Sequence, residues 1–389
     1  MTSTIDLPDT AAHGEAARAH PAHAANTHTP RPTKPAPTLK PHTRWGRAIG
    51  IALGAAVVVA LIVVAFVWPT ITSSVKDIPI AIVGTSEQVT AVTDSLNKQA
   101  EGAFAVTAVG DRQDAVDLIN TRTVYGAIVL GQSPEILTAS ANGAAVSQIL
   151  DQLAAPIQAQ ANAAAQAAVT QAIAAGQAPA GTTAPAITVA VTDVVPLAST
   201  DARGVGLTAA AFPLVLGGIL GGVLVSLLIT GVWRRLTSVI VYAVVTGVGV
   251  TLIMQPWFGI LQGSFALNAA AITLAMAATA SFVVGANALL GRGGIAVGSV
   301  LTMLIGNPLS SATQPLQFDV APWGAVGQWF VPGASSTLIR DLSYFPDAST
   351  IFPWLVLAGW TALGIVAMFV GHFRNQQVIS SLAVSEDPA

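Results

Sequence analysis

The sequence predicts an α-helical polytopic membrane protein of six transmembrane helices, with an extracytoplasmic α/β domain that carries a long Ala/Gln-rich helix. Three observations lead there. Hydrophobic residues make up 53% of the 389 and charged residues only 9%, whereas soluble domains run at about a quarter charged. Apolar runs of bilayer length recur, each ending at Arg or at a Trp/Pro/Gly break. Between the first and second of them, residues 70–206 switch to short apolar strands alternating with amphipathic helices. The net charge of -3 is spread over tails and loops, so the clustered basic face of a nucleic-acid binder is missing and no nucleic acid is expected as a partner. With no cysteine in the chain, disulfides, thiol catalysis and cysteine-ligated metals are all excluded.

Residues 1–43 are Ala, Pro, Thr and His with few large apolar residues. That composition cannot bury enough surface to offset chain entropy, so a disordered cytoplasmic tail is expected. Five of the six histidines fall there (His13, His20, His23, His28, His42). Their spacing is irregular and no carboxylate or Cys completes a ligand set, so compositional bias is preferred to a metal site. Neither metal nor cofactor is expected.

Residues 44–69 form the first transmembrane helix. Arg44 and Arg47 precede an apolar run of spanning length, and Trp68 and Pro69 end it. The run is long for a cleavable signal peptide and no small-x-small site follows, so it reads as an uncleaved anchor with its N-terminus inside.

In the 70–206 domain, 78–83 reads as a strand and 86–100 as a helix with Val89, Val92 and Leu96 on one face. A second strand, 103–109, leads to a helix over 111–120 with Asp111 as its N-cap, and 124–130 is a third strand. Alternation of this kind predicts a parallel sheet with right-handed crossovers. Residues 144–175 predict a long helix that projects beyond the core, either as a partner-binding arm or, as preferred, packed on its own domain. Ile187, Val189 and Val191 alternate as a returning strand.

A five-helix transmembrane domain is expected over 207–373. Its spans are 207–233, stopped by Arg234 and Arg235; 238–254; 265–290, stopped by Arg292; a short one at 294–305; and 352–373, followed by Arg374 and a cytoplasmic tail, 374–389. Placing both termini in the cytoplasm puts every one of these arginines inside, as the positive-inside bias demands. The protein is then a multi-pass cell-membrane protein whose first partner is the lipid bilayer. An external segment, 306–350, is broken by prolines and rich in aromatics, which suits short re-entrant or interfacial helices at about 323–330 and 334–342.

No ionisable residue lies within the interior of a span, which argues against a proton relay. Gly217-x3-Gly221 and Gly218-x3-Gly222 read as helix packing. Hydrolase, zincin and Walker A motifs are missing, so the chain is not expected to be an enzyme, and any ATPase must be a separate polypeptide. The candidate gate or pathway residues all lie in the external segment: Asn307, Pro308, Trp323, Trp329, Pro332 and Gly333, then Arg340, Asp341 and Tyr344. Adjacent residues on a helix point apart, so Arg340 and Asp341 should have separate partners. Trp323, Trp329, Tyr344 and Phe345 are suited to the bilayer interface. A lid that only stabilises the bundle is the alternative use of this segment. Asp193, Pro196, Asp201 and Arg203 are candidates for the junction between domain and membrane, and Arg234, Arg235 and Arg292 for contact with a cytoplasmic partner.

Asp193-Val-Val-Pro-Leu197 and Asp201-Ala-Arg-Gly204 before the second span, with Gly306-Asn-Pro-Leu-Ser310, Pro322-Trp-Gly324, Pro332-Gly-Ala334 and the run from Arg340 to Phe345 before the last, resemble the YhgE/Pip group of membrane proteins, which belong with the ABC-2-type permeases. The resemblance spans about 45–374. It implies a permease-like bundle, a homodimer, and a role in export, in secretion-system accessory work or as a phage receptor. The chain departs from the ABC-2 pattern in its Pro-rich N-terminal tail and in the short loop at 233–237, where a coupling element for the ATPase is usual. The leading expectation is a component of an ABC-2-type exporter with its ATPase in trans. The alternative is a non-transporting surface receptor or secretion-system accessory scaffold.

Overall fold

The computed structural model describes residues 44–131 and 133–385, so the histidine-rich tail lies outside it. By packing, the chain divides after Ala55: the start of the first helix is one unit and everything from Ala56 onward is the other. Helix α1 (Trp45–Thr72) is apolar from Ala48 to Pro69, beyond Arg47 in its first turn.

A mixed five-stranded sheet follows. Strand β1 (Ile78–Val83) is central: Ile78, Ile80, Ala81 and Ile82 are fully buried, as a strand covered on both faces requires. Helix α2 (Ser86–Gln99) begins at a capping box in which the Thr85 hydroxyl accepts from the Gln88 amide and the Gln88 side chain accepts from the Thr85 amide. After β2 (Phe104–Val109) comes α3 (Arg112–Asn120), whose N-cap is Asp111, accepting at 2.9 Å from the Asp114 amide. Strands β3 (Gly126–Val129) and β4 (Glu135–Thr138), helix α4 (Ala144–Ala174) and β5 (Ala190–Asp193) complete the unit.

The strand order is β2-β1-β3-β4-β5. The pairs β1/β2, β1/β3 and β4/β5 are parallel, but β3/β4 is antiparallel. The sheet is therefore not the parallel one expected, because the chain reverses direction between β3 and β4, a strand too short to announce itself. One face carries Ile80 and Ile82 against Leu96, Val146 and Leu150; the other carries Ala81 and Val83 against Ala115 and Ile119. Helix α4 does not simply project beyond this core. Its Asn162 side chain bonds both backbone groups of Ile187, and Gln158 accepts from the Val189 amide. Those side chains take the bonds that a strand partner would have taken, so the returning strand starts only at Ala190.

The membrane part contains α5 (Val205–Leu228), α6 (Val232–Leu252), α7 (Phe265–Leu290), α8 (Arg292–Val300), α9 (Trp323–Gly327), α10 (Val331–Tyr344) and α11 (Ile351–Ser385). Among the described residues five helices are long and apolar enough to cross a membrane: Trp45–Pro69, Val205–Leu228, Val232–Trp257, Phe265–Leu290 and Ile351–Arg374. The apolar helix Arg292–Gly306 is shorter. At about 1.5 Å per residue it falls short of a hydrocarbon core of about 30 Å. The chain is thus an integral multi-span membrane protein with a mixed sheet-and-helix unit attached.

Helix α7 is the centre of the bundle, packing against α5, α6, α8, α10 and α11. Small residues let it be central. A Cβ on Gly285 would meet the Gly364 carbonyl oxygen at 2.4 Å, and one on Gly364 would meet Ser281 backbone at 2.4 Å, so the α7 and α11 backbones touch. On α5, Gly218 and Gly222 receive Thr279 and Val283 of α7, while Gly221 receives the Tyr242 ring of α6. At the other end of α7, buried Asn268 donates to Gln255 Oε1 (3.0 Å) and to the Gln262 carbonyl (2.8 Å), tying α7 to the end of α6.

The arginines collect at one end. Helix α5 stops at a break over 229–231, so Arg234 and Arg235 lie in the first turn of α6 rather than beyond the end of the preceding span, as expected from sequence. Arg235 reaches back to cap α5, donating to the carbonyls of Ile229 (2.7 Å) and Ser226 (3.1 Å). Arg292 opens α8 at the same end, and Arg374 donates to the Leu289 carbonyl there. The α/β unit lies at the opposite end.

Candidate functional site

The segment 306–350 joins the two parts of the molecule. Helix α8 runs into a π-helical turn (Leu301–Gly306), then two 3-10 turns (Pro308–Ser310 and Leu316–Phe318), α9 and α10. Gly333, near the start of α10, is buried with its Cα against the backbone of α9: a Cβ there would lie 2.2 Å from the Gly327 oxygen. Pro332 is buried beside it at the start of the helix, where its missing N–H is harmless.

Each face of the sheet receives a buried aromatic side chain from this segment, and Tyr344 packs beside the second of them. Phe318 enters the cluster of Ile78, Ile80, Tyr125 and Leu150, and Phe345, 1% exposed, enters the cluster of Ala81, Ala115, Ile119 and Leu137. Phe345 is therefore not an interfacial aromatic as expected; the α/β unit, not the bilayer, covers it. The Tyr125 hydroxyl donates to Gln317 Oε1 at 2.9 Å, and the Ser74 amide donates to the Phe318 carbonyl at 3.1 Å.

Arg340 and Asp341 turn to different partners. Asp341, 3% exposed, is ion-paired with Arg122, whose Nε also donates to Asn142 Oδ1 at 2.9 Å and whose guanidinium lies 5.4 Å from the centre of the Phe345 ring. Burial pushes the Asp341 carboxyl above its ordinary range, against the opposing pull of Arg122. Among the described residues Arg340 donates to the Ala312 carbonyl alone, at 3.2 Å. Burial, together with the nearby Arg122, brings its pKa down to about 10.

The other candidates scatter. The Tyr344 hydroxyl donates to the Ile260 carbonyl at 2.6 Å, fixing α10 to the loop between α6 and α7. Trp329 is 62% exposed and stands edge-on to Phe352, and Trp323 stands edge-on to Trp68. Both sit on the perimeter, the position that suits indole at a bilayer interface. Asp193 accepts from the Ser140 amide (3.1 Å) and hydroxyl, closing β5 against the 139–142 turn, and Asp201 accepts from the Gly206 amide at the start of α5. Pro196 is exposed in the connection between them. Arg234 and Arg292 are exposed at the far end of the bundle.

What the structure brings together is a crevice under the α/β unit. One chamber of about 230 Å³ is lined by Phe66, Pro69, Ala211 and Phe212 on its apolar side and by Asn307, Pro308 and residues 310–314 on its polar side. Another of about 210 Å³ is lined by Asn142, Arg203, Thr208, Gln314 and Arg340 among others. A narrow space with Asn307 and Arg340 in its walls shares residues with both. No carboxylate lines any of the three. The sequence reading missed Arg122, Asn142 and Thr208. The one available signal was Arg122 itself, a lone cation in the Thr-Arg-Thr turn after α3.

Comparison with family models, with curated proteins and with solved structures returns no match for the chain. Among the described residues no group of His, Asp and Glu has the make-up of a metal site. The crevice offers donors, cationic groups and an apolar wall, which is binding chemistry.

Proposed function

We propose that the protein is a permease-like component of an ABC-2-type exporter of the YhgE/Pip kind, acting as a homodimer with its ATPase on a separate polypeptide. The observation that carries this reading is the break in the bundle after α8. A helix too short to span, followed by short helices packed beneath an extracytoplasmic domain, leaves a polar crevice where a substrate path would open. The sixth expected segment is then Arg292–Gly306, a partial crossing completed by the re-entrant helices. Gathering of Arg234, Arg235, Arg292 and Arg374 at one end supports cytoplasmic termini and an external α/β unit. Of these, Arg234, Arg292 and Arg374 are exposed, and Arg234 and Arg292 offer the surface on which an ATPase would dock.

The test is a photo-crosslinker placed at Thr230 or Arg292 in native membranes. The exporter reading expects crosslinks to a polypeptide carrying a Walker A motif, and loss of the crosslink on Arg234→Glu. Crosslinks only to lipid or to a second copy of this chain would remove the ATPase from the proposal.

One observation favours the receptor or scaffold reading. Asp341, Tyr344 and Trp329, candidates for a moving gate, are each held by a bond to another element: to Arg122, to the Ile260 carbonyl, and through the Trp329 carbonyl to Trp360 Nε1 at 2.8 Å. A segment tied at so many points is suited to presenting the α/β unit in a fixed pose.

A further inference from the structure

Arg340, half-buried in the crevice wall, stands apart from the buried carboxylates. Asp341 has Arg122 and Asp319 has Ser311 and Gln314, whereas Arg340 has a single backbone carbonyl. A guanidinium offers five N–H donors, so most of its hydrogen-bonding capacity is left over at a residue that forms part of the crevice wall. The neighbouring Asp341 carboxylate favours the cation and Arg122 opposes it, but neither hydrogen-bonds to it, and withdrawing a charge from water is costly unless something pairs with it.

A second orphan points the same way. Asn142 is 2% exposed and gives its oxygen to Arg122, but its Nδ2 has no partner. Asn142, Arg203 and Arg340 line the same chamber, and Asn307 joins Arg340 in the walls of the adjoining space. These groups supply N–H donors and positive charge, with no carboxylate among the wall residues. The ligand they fit is an oxyanion.

Its depth is set by the helices. Pro69 ends the α1 span and Thr208 is in the first turn of the α5 span, so the crevice opens at the boundary between apolar and polar layers. Phe66 and Phe212 line its apolar side, and below them α5 exposes Leu216, Leu220 and Leu224. An acyl chain attached to a bound headgroup has a continuous apolar surface to follow.

We propose that this crevice binds a phosphate-type oxyanion, carried by an anionic phospholipid headgroup or free in solution, with Arg340 as its charge partner. Site occupancy does not depend on whether the protein transports anything.

The experiment uses the delipidated full-length protein in detergent and follows tryptophan fluorescence during titration with dioctanoyl phosphatidylglycerol, dioctanoyl phosphatidylcholine and inorganic phosphate. Saturable binding of phosphatidylglycerol is expected, at least tenfold weaker in Arg340→Gln and at least threefold weaker in Asn307→Leu. If inorganic phosphate binds with the same dependence on Arg340, the site takes the free anion; if only phosphatidylglycerol binds, the lipid is the source. Equal binding of phosphatidylcholine and phosphatidylglycerol, unchanged affinity in both variants, or no binding of either anion would overturn the proposal. Should Arg340→Gln fail to fold, Asn307→Leu decides alone, and wild-type affinity in it refutes the site.

Discussion

Arg122, in the turn that ends α3, and Asp341, near the end of α10, are ion-paired across 219 positions of sequence. Arg122 adopts a left-handed backbone conformation, φ 57°, to aim its side chain at the membrane part. Taking away Arg122 leaves a buried carboxylate without its partner, a change that costs about 3–5 kcal/mol. Arg122→Met is therefore predicted to lower the thermal midpoint in detergent markedly. Arg122→Met with Asp341→Leu should recover much of that loss, because two matched apolar groups leave no stranded charge. A single variant that melts with the wild type would show the pair to be incidental.

The α/β unit should loosen in acid at β4. Arg112 and Thr192 hold the Glu135 carboxyl below its ordinary range. A lowered folded value means stability that is present above the unfolded value of about 4.3 and lost as pH falls through the folded one. Asp341 has the opposite sign: its raised value gives a contribution fully present below about pH 3.9 and lost as pH climbs through the folded value. Amide exchange in β4 should accelerate relative to β1 between pH 6 and pH 3. Glu135→Gln is expected to flatten that difference, and an unchanged pH response in it would assign the loosening elsewhere.

Gly364 and Gly359 lie on the same helix and predict opposite results. A side chain at Gly364 meets Ser281 backbone at 2.4 Å, whereas one at Gly359 meets nothing within 4 Å. Gly364→Leu should abolish the monodisperse peak in fluorescence-detected size exclusion, and Gly359→Ala should leave it intact. Equal profiles for the two would contradict close contact of α7 and α11.

Orientation is open to a direct check because the chain has no native cysteine. Gln177 is exposed at the end of α4 and Thr230 is exposed in the break between α5 and α6. In intact cells an impermeant maleimide should label Gln177→Cys and spare Thr230→Cys until the membrane is opened. The reverse pattern would invert the topology.

Much of this architecture was legible because it rests on local signals. Arginines at helix ends and apolar runs such as 265–290 mark the bundle, and Thr85 and Asp111 behave as helix caps do. Strand β4 was invisible, since Glu135-Ile-Leu-Thr138 has neither length nor alternation and earns its place only by pairing with β3 and β5. Phe345 looked interfacial for the same reason: an aromatic beside Tyr344 carries no mark of which surface will cover it. Arg340 and Asp341 were visible as charges in an apolar segment. That one would find Arg122 and the other only a carbonyl depends on contacts more than two hundred and about thirty residues away respectively, which no local pattern encodes.

Phe318 and Phe345 also set an order of events. Translation delivers the sheet and its helices well over a hundred residues before Phe318, and Phe345 later still. During that interval the hydrophobic pockets on both faces of the sheet stand open. Newly made 70–206 therefore stays incomplete until the intervening helices have been made and the last loop arrives to close it. Any failure in helix insertion then leaves an unfinished domain with exposed apolar surface, the kind of nascent chain that quality-control proteases and chaperones remove first.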